Sequence, residues 1–348
     1  MRAVEARGRW IWAVSGVVTT AVLVFVGAHL ITRAGQPEYA QPQATTIRTV
    51  TVPQPVTSLT VQSYGAQVQI TAGPVRRVQI TETITYDAPT GNLSAVPQQA
   101  TASPLSAAPA GAAPAAAAAS AKPAAPAAPA KPAAPANPGG ALPAVVLSVS
   151  GGHLSLADPA CATSDCSVSF AVSTPAGVTA TVVTDGGPVT VSGIAGVTVD
   201  SGGGPVTVSG IAGANVDSGG GPVSAVAVGG PLTVSTEDGS LVLDGLAGPL
   251  RADTAGGPLT ARNIAAATVT VSTGNGSASM AFAAAPDSVT VSTDGGPAQL
   301  TVPGGPYALT ADSSGGPQSV GIATDPAAHR SITIITQGGS LGIAPSRS

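Results

Sequence analysis

From Thr179 to the C-terminus, apolar residues come in pairs separated by one polar residue, and the pairs recur about every seventeen residues. The stretch Asp185 to Val223, DGGPVTVSGIAGVTVDSGGGPVTVSGIAGANVDSGGGPV, writes one phrase twice and begins a third copy. Aligning on the residue after each Gly-Gly, or its equivalent, gives nine anchors: Pro188, Pro205, Pro222, Ser240, Pro258, Ser277, Pro297, Pro317 and Ser340. Eight and six residues before them stand Ala180/Val182, Val197/Val199, Ala214/Val216, Leu232/Val234, Leu250/Ala252, Val269/Val271, Val289/Val291, Leu309/Ala311 and Ile332/Ile334. One and three residues after them stand Val189/Val191, Val206/Val208, Val223/Ala225, Leu241/Leu243, Leu259/Ala261, Ala278/Met280, Ala298/Leu300, Gln318/Val320 and Leu341/Ile343. Only Gln318 is polar among these 36 positions, where a chain that is 43% hydrophobic would place about half as many apolar residues.

Alternation with period two is the mark of a strand with one buried face. Each repeat therefore predicts one coil with two short strands, and the coils bury their inward faces only by stacking on one another. Nine coils at about 4.8 Å each make a stack of roughly 40 Å. Between the strands lies a turn such as Asp200-Ser201-Gly202-Gly203-Gly204, whose glycines are expected to supply positive φ. Pro at the anchor suits the start of the second strand. The spacings 17, 17, 18, 18, 19, 20, 20 and 23 place all length variation after the second strand.

Seven residues before the anchors runs an outward column: Thr181, Thr198, Asn215, Thr233, Arg251, Thr270, Thr290, Thr310 and Thr333. β-branched side chains that hydrogen-bond along the stack suit a solvent-facing sheet, and this column is the candidate surface ladder. Earlier, Ser58–Asp87 alternates in three short runs, Leu59/Val61, Val68/Ile70 and Val78/Ile80, which also read as strands. The β domain is thus expected over 47–87 and 144–348. It is interrupted by an Ala/Pro-rich tract at 88–143, where frequent Pro and almost nothing to bury predict a semi-rigid disordered spacer.

Composition removes several function classes. Gly (44) and Pro (32) are abundant and aromatics are 3%, so a core of large side chains is not available. From Ala144 onward thirteen Asp/Glu face four Arg, a poor match for nucleic acid. Residues 10–31, WIWAVSGVVTTAVLVFVGAHLI, are free of Asp, Glu, Lys and Arg and reach roughly 33 Å as a helix, enough to span a bilayer. Arg2, Arg7 and Arg9 precede this segment and Arg33 follows it. The expectation is therefore a single-pass anchor in the cell membrane with residues 1–9 cytoplasmic, 32–46 a linker, and the rest extracytoplasmic. The competing reading is a signal peptide cleaved near Val26-Gly27-Ala28, which makes the rest a secreted protein.

Little in the sequence carries chemistry. Cys161 and Cys166, in CATSDC and outside the membrane, are expected to form a disulfide. Asp200, Asp217, Asp253 and Asp312 share the offset five before the anchor, with Asp185 and Asp294 two residues later. Stacked carboxylates are weak calcium candidates, but Asp is also the ordinary turn residue and the nonapeptide Gly/Asp pattern of calcium β-rolls is missing. Gly338-Gly339-Ser340-Leu341-Gly342 matches G-x-S-x-G, yet Ser340 occupies a repeat anchor, so the match follows from the repeat. His29, His153 and His329 cluster with nothing in sequence. The chain is expected to be no enzyme and to need no cofactor.

An N-terminal apolar segment, strand-period sequence, a CxxxxC before VSFAVSTP (168–175) and DGGPVTVSG-type coils together resemble the bacterial putative-adhesin family of β-strand-repeat domains, also called toast-rack domains. The resemblance implies an all-β, two-sheet β-solenoid, of the right-handed β-helix or stacked-sheet type, carried here behind one transmembrane helix. It implies an adhesin or cell-envelope interaction module and offers no catalytic residues. Expected partners are the membrane, through residues 10–31, and a cell-envelope polymer, glycan or surface protein. The alternatives are a purely structural envelope spacer and a calcium-stabilised surface repeat protein.

Overall fold

Alternating side chains and glycine turns do build strands throughout. The computed structural model describes residues 43–87, 145–158 and 166–346, and every regular element in them is a β-strand. The chain enters through β1 (Gln43–Thr51), β2 (Ser58–Ser63), β3 (Gln67–Ala72) and β4 (Gln79–Asp87), then β5 (Val146–Ser150), β6 (His153–Ala157) and β7 (Cys166–Thr174). Nine strand pairs follow, one for each anchor. They are β8 (Thr179–Thr184) with β9 (Val189–Ser192), β10 (Gly196–Ser201) with β11 (Val206–Ser209), and β12 (Ala214–Ser218) with β13 (Val223–Val228). Next come β14 (Leu232–Thr236) with β15 (Leu241–Leu246), β16 (Leu250–Thr254) with β17 (Leu259–Ile264), and β18 (Thr268–Thr273) with β19 (Ala278–Phe282). The last are β20 (Ser288–Thr293) with β21 (Ala298–Val302), β22 (Ala308–Asp312) with β23 (Gln318–Val320), and β24 (Ser331–Thr336) with β25 (Leu341–Pro345).

First strands join a 12-stranded front sheet and second strands a 13-stranded back sheet. Parallel pairing keeps each offset in one column: Val197 lies beside Ala180 and Ala214, and Val206 beside Val189 and Val223. All the inward positions of the first seven pairs are buried, as the period-two reading requires. A further buried column, not anticipated from the strand pattern, follows the second strand and closes the corner: Ile194, Ile211, Val228, Leu246 and Ile264.

The coils do not stack in chain order. At the C-terminal end β24/β25 lies between β20/β21 and β22/β23. At the other end β2/β3 lies between β6/β7 and β8/β9. Antiparallel strands close that end: β5 against β6, and β4 then β1 against β7. β1 starts at Gln43, inside the stretch assigned to the linker. Gln318, the polar exception among the inward positions, belongs to the outermost level, where all three residues of β23 are exposed.

The turn glycines supply the expected positive φ only in the last three coils, at Gly295, Gly315 and Gly338; in the earlier ones they do a different job. In the turn 200–204 none has positive φ. Instead, a Cβ on Gly204 would collide with the Gly187 carbonyl one level away, as would one on Gly221 with that of Gly204 and one on Gly339 with that of Gly296. Consecutive turns lie nearly on top of one another, and only a residue without a side chain permits that. In the earlier coils left-handed backbone comes later, where the second strand ends, at Gly193, Gly210, Ala227, Gly245 and Asn263.

The apolar segment 10–31, most of the linker and the Ala/Pro tract lie outside the described residues. Among the described residues no helix is long and apolar enough to cross a membrane.

Candidate functional site

The repeat carries its outward side chains in columns, and the column richest in threonine is on the front sheet. In spatial order it runs Thr60, Thr181, Thr198, Asn215, Thr233, Arg251, Thr270, Thr290, Thr333 and Thr310. The structure thus brings together all seven threonines of the expected ladder. It adds Thr60, which a reading confined to the later repeats missed, and reverses the last two. Each except Thr310 is held by a buried neighbour on either side in its own strand, such as Val197 and Val199 around Thr198. Successive hydroxyls are set about 4.8 Å apart, the spacing of paired strands. Asn215 and Arg251 interrupt the column without changing its register.

The neighbouring outward column contains the carboxylates. Asp200 and Asp217 stand on adjacent levels, Ser235 separates Asp217 from Asp253, and Ser272, Ser292 and Ile335 separate Asp253 from Asp312. The four calcium candidates are therefore not gathered into one set, and no group of three metal-ligating side chains occurs among the described residues. Asp312 accepts the Ser314 N–H at 2.9 Å, which is turn chemistry.

A column overlooked in the sequence lies four residues before each anchor, where every coil has Thr or Ser. Its hydroxyls are buried and brace the glycine turns: Thr254 Oγ1 donates to the Gly257 carbonyl at 2.9 Å and Thr273 Oγ1 to that of Gly276 at 2.8 Å. The signal was available, since the column is hydroxylic without exception. These groups support the face from beneath and do not reach solvent.

Elsewhere, Ser58 Oγ and His153 Nδ1 meet at 2.9 Å, but this pair stands on open surface. Ser340, of the G-x-S-x-G match, lines a shallow depression of about 240 Å³ with Gln299, Pro317, Gln318 and Gly342, and no acid or imidazole lines it. His329 lies in the exposed loop 321–330, and His29 is outside the described residues. Cys166 opens β7, whereas Cys161 lies outside the described residues. On β4, opposite Arg48 of β1, Glu82 is buried with its carboxyl held above the usual range. Burial is the main cause; Arg48 opposes the shift and Asp158 adds to it. Tyr307 is fully buried, donates to the Pro303 carbonyl at 3.0 Å, and is likewise raised by burial against the pull of Arg330.

No family model matches the chain, and no curated protein matches it. Among solved structures, a "putative cell adhesion protein" from Clostridium sporogenes ATCC 15579 is similar at 8% identity, covering 87% of this chain and 100% of its own, with a TM-score of 0.23. At that score the similarity carries no argument.

Proposed function

We propose that the chain is a non-enzymatic, membrane-anchored extracytoplasmic repeat protein whose front sheet is an adhesive face for a repeating cell-envelope polymer, glycan or surface protein. The observation that carries this reading is the ten-level outward column from Thr60 to Thr310, kept in register by the parallel ladder. Short hydroxyls on a rigid flat sheet lose little side-chain entropy on contact, and their even spacing suits a ligand that also repeats. Residues 10–31 supply the anchor in this reading, with the N-terminus cytoplasmic, and Cys161 pairs with Cys166 as expected of an oxidising compartment.

The test is retention of the full-length chain on isolated envelope and on polymeric glycans, with Thr181, Thr198 and Thr233 replaced together by Ala. Retention should fall at least about tenfold while the melting midpoint stays close to that of the parent chain. Equal retention of the triple variant sinks the adhesive face. The spacer alternative draws support from the near identity of the two 17-residue copies. It predicts instead that deleting two central coils in register changes reach and leaves retention unaltered.

A further inference from the structure

Four strand edges bound the two sheets: β1 and β23 in the back sheet, β5 and β22 in the front. They are unequal. β5 and β22 have five residues each and β23 has three, whereas β1 has nine. The start of β22 is already met by the chain's own loop, where the Tyr307 N–H donates to the Ala323 carbonyl at 3.2 Å and the Asp325 N–H to the Tyr307 carbonyl at 3.0 Å. Along the outer side of β1 no described residue pairs, and the chain leaving β1 turns back to β2, deeper in the stack. β1 is also the strand by which the 13-stranded back sheet exceeds the 12-stranded front sheet, so it projects beyond β5.

Hydrogen bonding fixes which backbone groups of β1 are open. The Val52 N–H donates to the Val78 carbonyl at 2.9 Å, and the same register sets Val50 opposite Ile80 and Arg48 opposite Glu82, so the even-numbered residues bond to β4. Alternation then turns the N–H and C=O of Gln43, Thr45, Ile47, Thr49 and Thr51 to the open side. The side chains of Thr45, Ile47 and Thr49 stand on the outer face of the sheet, away from the buried Val52. Ile47, at 62%, is the most exposed large hydrophobic among the described residues. Charge does not guard the strand: Arg48, its one charged residue, is met by Glu82 of β4, and neither Lys nor Pro occurs in it.

We infer that β1 is a self-association edge, on which β1 of a second copy pairs antiparallel and joins the two back sheets into one. The twofold axis is perpendicular to the back sheet and passes between the two Ile47 residues, the midpoints of their strands. Ile47 then exchanges backbone hydrogen bonds with its counterpart, Thr45 with Thr49 of the other copy, and Gln43 with Thr51. This register uses all five open residues, and any shift leaves some of them bare. Within the chain the Thr45 and Thr85 hydroxyls lie 3.4 Å apart and those of Thr49 and Thr81 3.3 Å apart. Pairing extends these contacts into rows of four threonines, with the two Ile47 side chains covering each other between the rows. Because the front sheet is one strand shorter, the back sheets meet without a collision of the front ones. A second copy is the occupant because the outward set Thr45, Ile47, Thr49 is the same in either direction, as a twofold axis requires. Chain length favours it too. Residues 32–42 reach at most about 40 Å, so in the anchored reading proposed above, on which this point rests, β1 of every copy lies that near one membrane. An axis along the membrane normal admits both anchors to the same bilayer.

The test uses the full-length chain in detergent, followed by sedimentation at tens of micromolar. A dimer is expected. Ile47→Cys should crosslink the two copies under oxidising conditions beyond the level of the parent chain, because the axis sets its Cα atoms about 5.5 Å apart. Val242→Cys, also outward and exposed on the back sheet but mid-stack, should not. Ile47→Lys, which sets like charges across the axis on an exposed side chain, should weaken the dimer roughly tenfold or more with an unchanged circular dichroism spectrum. Thr49→Pro, which removes an open N–H and no ladder bond to β4, should do the same. Neither variant touches the front column, so the adhesive reading and this one fail separately: retention on envelope without a dimer overturns only the pairing. A monomer at these concentrations overturns the inference. So does a dimer that Ile47→Cys fails to crosslink or that Val242→Cys crosslinks equally. A dimer that both Ile47→Lys and Thr49→Pro leave intact overturns it as well, since contacts elsewhere then hold the copies together.

Discussion

Gly203 and Gly204 are neighbours in one turn, yet alanine should act oppositely at the two. A Cβ on Gly204 would lie 2.7 Å from the Gly187 carbonyl carbon and closer still to its oxygen, whereas nothing lies within 4 Å of one on Gly203. To accept Gly204→Ala the two turns must separate by on the order of 1 Å, since ordinary contacts of this kind begin near 3.4 Å. The Val189 N–H to Pro205 carbonyl bond is 2.9 Å, and the Gly202 N–H to Thr184 carbonyl bond is 2.8 Å. Neither survives that separation. Two lost bonds at about 1 kcal/mol each, with about 1–2 kcal/mol of overpacking strain, give a destabilisation of about 3–4 kcal/mol. For a domain of this size that lowers the melting midpoint by roughly 6–15 °C. Gly203 is exposed and its φ lies outside the left-handed region. Gly203→Ala should therefore stabilise by about 0.4–1 kcal/mol through the unfolded state. Thermal unfolding of both variants beside the parent chain, followed by circular dichroism, decides the matter. If Gly204→Ala melts within about 2 °C of the parent, or if both variants fall equally, close approach is not why glycine is there.

Three further outcomes follow from single sites. Ala227 holds a left-handed backbone with φ of 54° at a position where neighbouring coils use Gly210 and Gly245; Ala227→Gly should raise stability by about 1 kcal/mol, measured by urea unfolding. Thr254 and Thr174 are both fully buried, but the Thr254 hydroxyl is bonded and that of Thr174 has no partner. Thr254→Val should thus cost about 1 kcal/mol, while Thr174→Val should be neutral or stabilising, and equal losses would refute the distinction. Glu82 binds its proton more tightly folded than unfolded, because its carboxyl is raised above the ordinary 4.5 mainly by burial. Its contribution therefore favours folding at acid pH and is lost as pH climbs from 4.5 through the raised value. Glu82→Gln should melt higher than the parent chain at pH 7, with the gap closing as pH is lowered toward 4.5, and a lower melting point at pH 7 would reverse that assignment.

The columns were legible from sequence because period two leaves no freedom: a one-residue slip would turn Val197 and Val199 outward and Thr198 and Asp200 inward. The nine pairs and the threonine ladder follow from that constraint alone. The order of the coils was not legible, because Val, Leu, Ile and Ala at the inward positions let any coil stack on any other. The signal that remained was indirect. The spacing of 23 residues after Pro317 is the longest and accompanies the step back past a level, whereas the 20 after Pro297 does not stand out, because Ser277 to Pro297 is 20 as well and joins adjacent coils. The role of the glycines in the earlier turns was misjudged for a similar reason, since glycine looks the same in sequence whether it is required by φ, as at Gly315 and Gly338, or by a neighbour's carbonyl, as at Gly204. The cluster of Glu82, Arg48 and Asp158 joins strands on either side of the Ala/Pro tract, and nothing local announces it.

Placing the last coil one level inside the stack changes how the end can come apart. In a solenoid stacked in chain order, the final coil has one neighbour and a free chain end, so it frays by losing contacts on one side only. Here β24/β25 has a neighbour on both sides, and the Ser346 N–H donates to the Val302 carbonyl at 2.7 Å, which ties the end of the described chain into the ladder. The level left outermost, β22/β23, is attached at both of its ends, through residues 303–307 to β21 and through 321–330 to β24. It cannot peel away from a free terminus. Its inward residues are also smaller and more polar than Ile332, Ile334, Leu341 and Ile343 of the level it covers, so the larger apolar side chains are the ones given two neighbours. The same exchange at the other end sets β2/β3 inside β6/β7. Burial is thus concentrated where the chain would otherwise open first.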